Sequence, residues 1–197
     1  MRKALICILA LLSALLPTYT ALCEGAGGPF PASAKISDLP EDFILPEDAG
    51  AEEIMSAALE IYSWFAMGTL DVDPFAPSAD GTLFRVYDER LNTKAKLSNV
   101  LHAYFSDEIC KELLSSGVYQ EEDGYLYSGI DSREINPAIA ETQFYISYED
   151  EDTQHITAAV FYSEEEGVIT SMEEYTFLRE KIDGKWLFTD FWFFWRR

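Results

Sequence analysis

The sequence predicts an α+β domain in which helices come first and a curved antiparallel meander sheet follows. Between Ala51 and Gly117, three segments carry apolar residues at the helical period of 3.6, and from Val118 onward the period changes to 2. Asp-Gly pairs, which favour tight hairpin turns, occur in this second part at Asp123-Gly124 and Asp183-Gly184. We therefore expect the helices to pack on one face of the sheet.

The N-terminus has the pattern of an export signal. Arg2-Lys3 precede a short apolar run that is broken at Pro17 and is too short to cross a membrane comfortably. We assign residues 1–23 to a signal peptide, residues 24–47 to a Pro/Gly-rich linker and residues 48–197 to a single α+β domain. The mature chain is expected to have no transmembrane segment.

Export places the predicted protein outside the cytoplasm, at the cell envelope. A lipid anchor at Cys23 is the less favoured alternative, because Leu22 stands where a lipoprotein signal has a small residue. If the signal peptide is removed after residue 23, Cys110 is the one cysteine left in the mature chain. The fold can then not depend on an internal disulfide.

Three amphipathic segments predict helices. The first spans residues 51–67, the second starts after a cap at Asn92 or Thr93, and the third starts after Ser106 and ends before Gly117. The residues predicted to form their buried faces are, in order, Ile54, Ala58, Ile61 and Phe65; Leu97, Val100, Leu101 and Tyr104; and Ile109, Cys110, Leu113 and Leu114.

The predicted strands mostly follow the helices. Residues 70–81 contain Pro74 and Pro77 and are expected to form an irregular crossing. The segments predicted to be extended are 83–87, 118–120, 125–128, 143–148, 155–162, 171–181 and 185–195.

The last predicted strand is apolar on both faces. This pattern is expected of a central strand covered on both sides, or of one that lines a concave pocket. Asp190 is the exception among its aromatic neighbours. An alternative function is therefore a small-ligand-binding or enzymatic cone, with Asp190, Tyr145 and Tyr175 around an aromatic pocket.

Acidic residues are concentrated in the predicted sheet. Between Glu112 and Tyr175 the chain has 16 acidic residues and one basic residue, Arg133. Such a field repels nucleic acid and attracts basic surfaces, so we expect a basic protein partner and no nucleic acid. The predicted partner-binding residues form three clusters, which are Glu121, Glu122 and Asp123; Glu149, Asp150, Glu151 and Asp152; and Glu164, Glu165 and Glu166. The alternatives are a merely solubilising acidic surface and a surface protein that holds cations.

Motifs for catalysis or resident metals are missing from the sequence. It has no G-x-S-x-G, no phosphate-binding glycine loop and no H-E-x-x-H. His102 and His155 lack cysteine or histidine partners at zinc-ligand spacing, and Cys110 lies on an apolar helix face. Neither Asp71-Val72-Asp73 nor the 149–152 cluster has the spacing of an EF-hand. We predict a non-catalytic binding protein with no cofactor and no metal.

The segment from Leu83 to Tyr127 has a distinctive layout. An extended piece precedes a K-x-x-L-x-x-x-L-x-x-x-F helix, an FS-x-E-I helix start and a DG-x-LY turn, and the chain closes on a DGKWLFTDFW hairpin. With these motifs the chain resembles the IseA-like family of secreted inhibitors of peptidoglycan DL-endopeptidases. It also resembles the wider cystatin-like (nuclear-transport-factor-2-like) α+β cones.

The resemblance covers most of the predicted domain and implies a mechanism. It implies an acidic protein that blocks the active-site groove of an NlpC-type cysteine endopeptidase of the cell wall and performs no chemistry itself. Residues 129–136 stand where the family tends to have a glycine-rich loop, and they are more charged in this chain.

Overall fold

The computed structural model describes residues 39–46, 48–130, 136–165 and 168–195. The predicted signal peptide, Cys23, Arg133 and Glu166 lie outside these ranges. The elements, in chain order, are a 3-10 helix η1 (Glu41–Phe43), α1 (Ala51–Ala66), β1 (Val72–Pro77), β2 (Phe84–Val86), α2 (Lys94–Tyr104), α3 (Asp107–Leu114), β3 (Tyr119–Glu122), β4 (Tyr125–Ser128), β5 (Ile139–Glu149), β6 (Thr153–Glu165), β7 (Val168–Ile182) and β8 (Lys185–Asp190).

The strands form two antiparallel sheets. The first has the order β1-β2-β4-β3, and the second is a meander in the order β5-β6-β7-β8. Helix α1 packs against β5, while α2 and α3 pack against β8. This arrangement confirms the predicted α+β class, with helices on a meander sheet, and adds a second sheet to it.

The predicted helix faces form the core. Ala58, Leu97 and Cys110 are fully buried, and of the twelve predicted positions only Leu114 is half-buried rather than buried. The Oγ1 atom of Thr93 accepts a hydrogen bond from the Lys96 N–H at 3.2 Å, as expected of the cap of α2. The helical period therefore predicted the core side of each helix correctly.

Residues 70–81 do not form the irregular crossing that the two prolines suggested, and that prediction is wrong. Val72–Pro77 is strand β1, which pairs with β2. The pairing runs Asp73 with Arg85 and then Pro77 with Phe84, so the register shifts between Asp73 and Pro77. Prolines are tolerated here because β1 lies at the edge of its sheet and the chain bulges between the paired residues.

The prediction of a central last strand is also wrong. Strand β8 ends at Asp190 and lies at an edge of the second sheet. Beyond it the chain turns, and Phe191 and Phe194 are buried, with both rings close to Phe177. Folding this segment back removes the rings of Phe191 and Phe194 from water.

The edge of β8 is covered by the junction between α2 and α3. The Ser106 N–H donates to the Phe188 carbonyl at 2.9 Å, beside a parallel bridge between Phe105 and Phe188. Backbone pairing and the fully buried rings of Phe105 and Phe188 thus join the helices to the meander.

Residues 39–46, which we assigned to the linker, lie against the core. The Phe43 ring makes an edge contact with Trp64 at 5.9 Å between centroids, and the Phe43 carbonyl accepts a hydrogen bond from the Tyr104 hydroxyl at 3.1 Å.

In the described part of the chain no helix is both long and apolar enough to cross a membrane.

Candidate partner-binding surface

The first acidic cluster lies at the tip of the β3–β4 hairpin. Glu121 and Glu122 are the last two residues of β3, and Asp123 and Gly124 form the turn with φ of 49° and 80°. Positive φ at both positions matches the handedness of a tight hairpin turn. Glu121 and Asp123 are exposed, whereas Oε1 of Glu122 accepts a hydrogen bond from the Ala79 N–H at 2.9 Å. Two carboxylates therefore face solvent, and the third ties the hairpin to the β1–β2 turn.

The second acidic cluster forms the β5–β6 turn, and one of its carboxylates is structural. Oδ1 of Asp150 accepts hydrogen bonds from the Asp152 and Thr153 N–H groups, at 3.0 and 2.8 Å. Oδ2 accepts from the Tyr148 hydroxyl at 2.7 Å. These bonds, with that from Tyr148 the largest, lower the pKa of Asp150. Asp150 thus holds the turn in shape.

Basic residues from a distant part of the sequence lie beside the second cluster. The Lys181 N–H donates to the Asp152 carbonyl at 2.9 Å. The Nζ atom of Lys181 donates to the Glu151 carbonyl at 3.3 Å. Lys185 follows on β8, paired with Ile182. The charge at this end of the sheet is therefore mixed, which the sequence window did not show.

The described residues of the third cluster, Glu164 and Glu165, lie at the opposite end of β6 from the second cluster. Glu164 and Glu165 are the last residues of β6 rather than turn residues. At about 3.3 Å per residue, the 13 residues of β6 separate the two clusters by about 40 Å. A standard protein interface of about 800 Å² per partner is roughly 30 Å across. The second and third clusters therefore do not form one contact patch.

The first sheet carries exposed aromatic side chains that the sequence analysis missed. Phe75 is 93% exposed, Tyr87 71% and Tyr125 42%. Phe75 was missed because the prolines of residues 70–81 suggested a segment without strand structure, whereas Tyr87 and Tyr125 lie in segments that were predicted to be extended. The available signal was Phe75 itself, an aromatic residue between two prolines in the stretch D-P-F-A-P.

A hydrogen bond, an ion contact and a cation–π contact link residues of β1, β2 and β4. Oδ1 of Asp73 accepts a hydrogen bond from the Phe75 N–H at 2.9 Å, and its Oδ2 lies 3.9 Å from Nη2 of Arg85. The Arg85 guanidinium in turn lies 5.0 Å from the centre of the Tyr125 ring. The three strands β1, β2 and β4 therefore share one connected outer surface.

Comparison with protein families matches residues 47–191 to the IseA DL-endopeptidase inhibitors. The chain belongs to the IseA DL-endopeptidase inhibitor family. The matched range contains every helix from α1 to α3 and all eight strands of both sheets. A comparison with curated proteins gives no match. The family resemblance seen in the sequence motifs is thus confirmed, while the cystatin-like cone that it also implied stays a prediction.

In this member of the inhibitor family, the residues of the alternative aromatic pocket lie apart. Phe144 pairs with Ala158, which pairs with Tyr175, so Tyr145 faces the other side of the sheet from Tyr175. The Tyr145 hydroxyl donates to Oε1 of Glu174 at 2.7 Å. Asp190 is exposed at the end of β8. The sheet itself separates the two tyrosines.

An open polar cavity of about 380 Å³ lies at the end of β6 that is remote from the β5–β6 turn. Its lining includes Tyr162, Thr170 and Glu173. The Tyr175 hydroxyl lies 3.0 Å from that of Tyr162 and donates to Oε2 of Glu173. Burial, followed by the bond to Glu173, raises the pKa of Tyr175. Tyr175 thus stays neutral at physiological pH and acts as a hydrogen-bonding group.

The remaining candidate for chemistry, Cys110, is part of the hydrophobic core. Cys110 is buried, its Sγ donates weakly to the Phe105 carbonyl at 3.5 Å, and burial raises the pKa of its thiol. Across the described ranges, no three His, Cys, Asp or Glu side chains are grouped so as to hold a metal ion.

Proposed function

We propose that this protein is a secreted, non-catalytic inhibitor that docks on the basic active-site groove of a cell-wall DL-endopeptidase of the NlpC type. The observation that carries the proposal is the match to the IseA inhibitor family, which extends across both sheets and all three α-helices. Inhibition requires no reaction on the inhibitor, only a stable surface that occupies the groove and excludes the peptidoglycan substrate.

Charge supports an electrostatic part in the docking. The formal net charge of the whole chain is −21, so a basic groove attracts it over a distance of about one Debye length, roughly 8 Å at physiological ionic strength. Attraction of this kind mainly raises the association rate, and salt weakens it.

The first and second predicted acidic clusters differ in what they can contribute. Glu121 and Asp123 present exposed carboxylates on a tight hairpin. The β5–β6 turn uses Asp150 to hold its own shape and has Lys181 beside it. The hairpin is therefore the cluster that we expect to steer the approach of the enzyme most strongly.

The test is hydrolysis of peptidoglycan by a purified DL-endopeptidase, with increasing amounts of the inhibitor, at low and high salt. We expect saturable inhibition that weakens as salt rises, and no release of peptide by the inhibitor alone. Hydrolysis that continues unchanged at saturating inhibitor would reject the function, whereas an inhibition constant independent of salt would reject its electrostatic part.

Two matched variants separate the clusters, since each removes two negative charges. Glu121→Gln/Asp123→Asn alters the hairpin, and Glu149→Gln/Glu151→Gln alters the β5–β6 turn while keeping Asp150. We expect the hairpin variant to lower the association rate about five-fold and the turn variant to lower it less. The reverse order of effects would contradict the assignment of the hairpin as the main steering cluster.

A further inference from the structure

The core-facing side of the second sheet ends in the polar cavity. Along this side, β7 places Phe177, Tyr175 and Glu173 at alternate positions. The pairing of β6 with β7 sets Tyr162 opposite Ser171 on the same side. Phe177 is fully buried, Tyr175 is half-buried and Glu173 is exposed. Burial therefore decreases along β7, and the uncovered end of this side carries hydroxyl and carboxyl groups in place of apolar ones.

Two tyrosine hydroxyls hold the carboxylate of Glu173 in place. The hydroxyls of Tyr162 and Tyr175 lie 3.0 Å apart, and both donate to Oε2 of Glu173, that of Tyr162 at 3.2 Å. Oε1 of Glu173 accepts no hydrogen bond from the described part of the chain. A carboxylate that is already oriented loses little conformational entropy when a ligand binds its second oxygen.

Other lining groups of the cavity can donate as well as accept hydrogen bonds. Oδ1 of Asn136 accepts from the Ala138 N–H at 3.1 Å, which leaves the amide nitrogen of Asn136 as a donor. Oγ1 of Thr170 donates to the Tyr162 carbonyl at 3.3 Å and keeps lone pairs that can accept. The hydroxyl of Ser171 can do either. The cavity therefore combines one carboxylate with neutral donors and acceptors.

These groups limit the class of ligand that the cavity can bind. An anion would be repelled by the carboxylate of Glu173. An ammonium group has donors and no acceptor, so it would leave the amide nitrogen of Asn136 without a partner. A sugar hydroxyl carries no charge and both donates and accepts. The volume of about 380 Å³ lies within the range of about 300–1,000 Å³ that is usual for small-ligand sites.

We propose that this cavity binds a neutral sugar unit of a glycan chain, with a sugar hydroxyl donating to Oε1 of Glu173 and the amide nitrogen of Asn136 donating to a sugar oxygen. Such a site attaches the protein to the glycan, and this binding activity is separate from inhibition of a peptidase. Its test contains no enzyme, so failure of the sugar site and failure of the proposed function are distinguishable.

The probe is chitotetraose, a soluble oligomer of N-acetylglucosamine, titrated into the full chain and followed through the amide resonances by NMR. A titration to about 10 mM detects a dissociation constant of about 1 mM or below. We expect saturable shifts at the amides of Tyr162, Ser171 and Glu173. A titration without shifts at these amides would overturn the site. Shifts with the diamine putrescine but not with chitotetraose would overturn the assignment of a sugar.

A matched pair of variants tests the carboxylate. Glu174 follows Glu173 on β7, so its side chain lies on the opposite face of the sheet, where Oε1 accepts from the Tyr145 hydroxyl at 2.7 Å. Glu173→Gln and Glu174→Gln each remove one exposed charge that is bonded to a tyrosine, so both should keep the thermal stability of the wild type. We expect Glu173→Gln to weaken chitotetraose binding about ten-fold and Glu174→Gln less than two-fold. Equal affinities of the two variants would overturn the role of Glu173.

Discussion

The guanidinium of Arg179 donates a hydrogen bond to Oε1 of Gln154 at 2.7 Å, between two paired positions of β7 and β6 in the interior of the protein. Both residues are buried, and within the described chain Nε of Arg179 has no hydrogen-bond partner. The guanidinium also lies over the rings of Trp186 and Phe188, at 5.9 and 5.4 Å. Burial lowers the pKa of Arg179 to about 10, because the charged form of the guanidinium is disfavoured away from water.

We expect the effects of substituting Arg179 and Gln154 on the free energy of unfolding to be strongly coupled. Gln154→Leu alone should lower the free energy of unfolding by about 3 kcal/mol, because the buried charge keeps only its longer contact with the Trp186 carbonyl at 3.5 Å. Arg179→Met alone should cost about 1 kcal/mol, because loss of the unfavourable charge offsets most of the penalty for an unpaired Gln154 oxygen. The double variant should come within about 1 kcal/mol of the wild type. Urea unfolding measures all four proteins, and additive single effects would contradict the coupling.

Two phenylalanines test the assignment of core and surface. Phe177 is fully buried among Phe191 and Phe194, whereas Phe75 is 93% exposed. We expect Phe177→Ala to lower the free energy of unfolding by about 3–5 kcal/mol. Phe75→Ala should change it by less than about 0.5 kcal/mol. Equal losses of stability in the two variants would show that the exposed ring is also part of the folded core.

An ion pair in the turn before α2 predicts a pH dependence. Nη2 of Arg90 lies 2.6 Å from Oδ2 of Asp88, and the hydrogen bond from Arg90 is the largest cause that lowers the pKa of Asp88 below its usual 3.8. A carboxyl whose pKa is lower in the folded state stabilises the fold above its unfolded pKa and loses that contribution as the pH falls through the folded pKa.

Asp88→Asn should therefore lower the free energy of unfolding at pH 7 and have progressively less effect below pH 4. Since the pair is largely exposed, the effect at pH 7 should not exceed about 1 kcal/mol. Urea unfolding at pH 7, 5 and 3 measures it, with Glu89→Gln at the exposed neighbouring position as the control. A difference between Asp88→Asn and wild type that grows towards pH 3 would contradict this sign.

The β5–β6 turn predicts different effects for two neighbouring acids. Asp150→Ala removes the acceptor of the Asp152 and Thr153 N–H groups and should cost about 1 kcal/mol. Glu151→Ala removes an exposed carboxylate and should change stability by less than about 0.5 kcal/mol. Amide hydrogen exchange at Thr153 should accelerate only in Asp150→Ala; unchanged exchange there would show that the side chain does not hold the turn.

We expect the reactivity of the Cys110 thiol to report global unfolding of the protein. Its thiol is buried and burial raises its pKa, so labelling by a thiol reagent at pH 8 should be slow in the folded protein and fast in urea. Ser115→Cys, at an exposed position one residue past α3, provides a thiol that should react at once in the folded state. The chain used begins at residue 24, so that Cys110 is its one wild-type cysteine, and rapid labelling of that chain without denaturant would contradict the buried position.

The helices could be predicted well because the relevant signal is local. Residues three and four apart share a helix face, so Ile54, Ala58 and Ile61 identify the buried side of α1 without knowledge of any other element. The hairpin turns at Asp123-Gly124 and Asp183-Gly184 are likewise predictable, since positive φ is a preference of the turn residues themselves.

The strand partners could not be predicted in the same way. The aromatic alternation of the last segment suggested a central strand, but β8 pairs with β7 on one side and its other edge is covered by Ser106. Strand β1 was missed because proline excludes a central strand, and only the sheet order shows that Val72–Pro77 lies at an edge. These errors have one cause, which is that pairing depends on residues far away in the sequence.

The sequence by itself determined the α+β class, the buried helix faces, the tight turns and the motifs of the inhibitor family, because each depends on neighbouring residues. Only the tertiary structure decided how charge and exposed rings are distributed. It placed Lys181 beside the Glu151 carbonyl, put the β5–β6 turn at the opposite end of β6 from Glu164 and Glu165, and joined Asp73, Arg85 and Tyr125 on one face. Antiparallel pairing brings distant segments to within about 5 Å of each other, and a linear charge pattern contains no record of which segments those are.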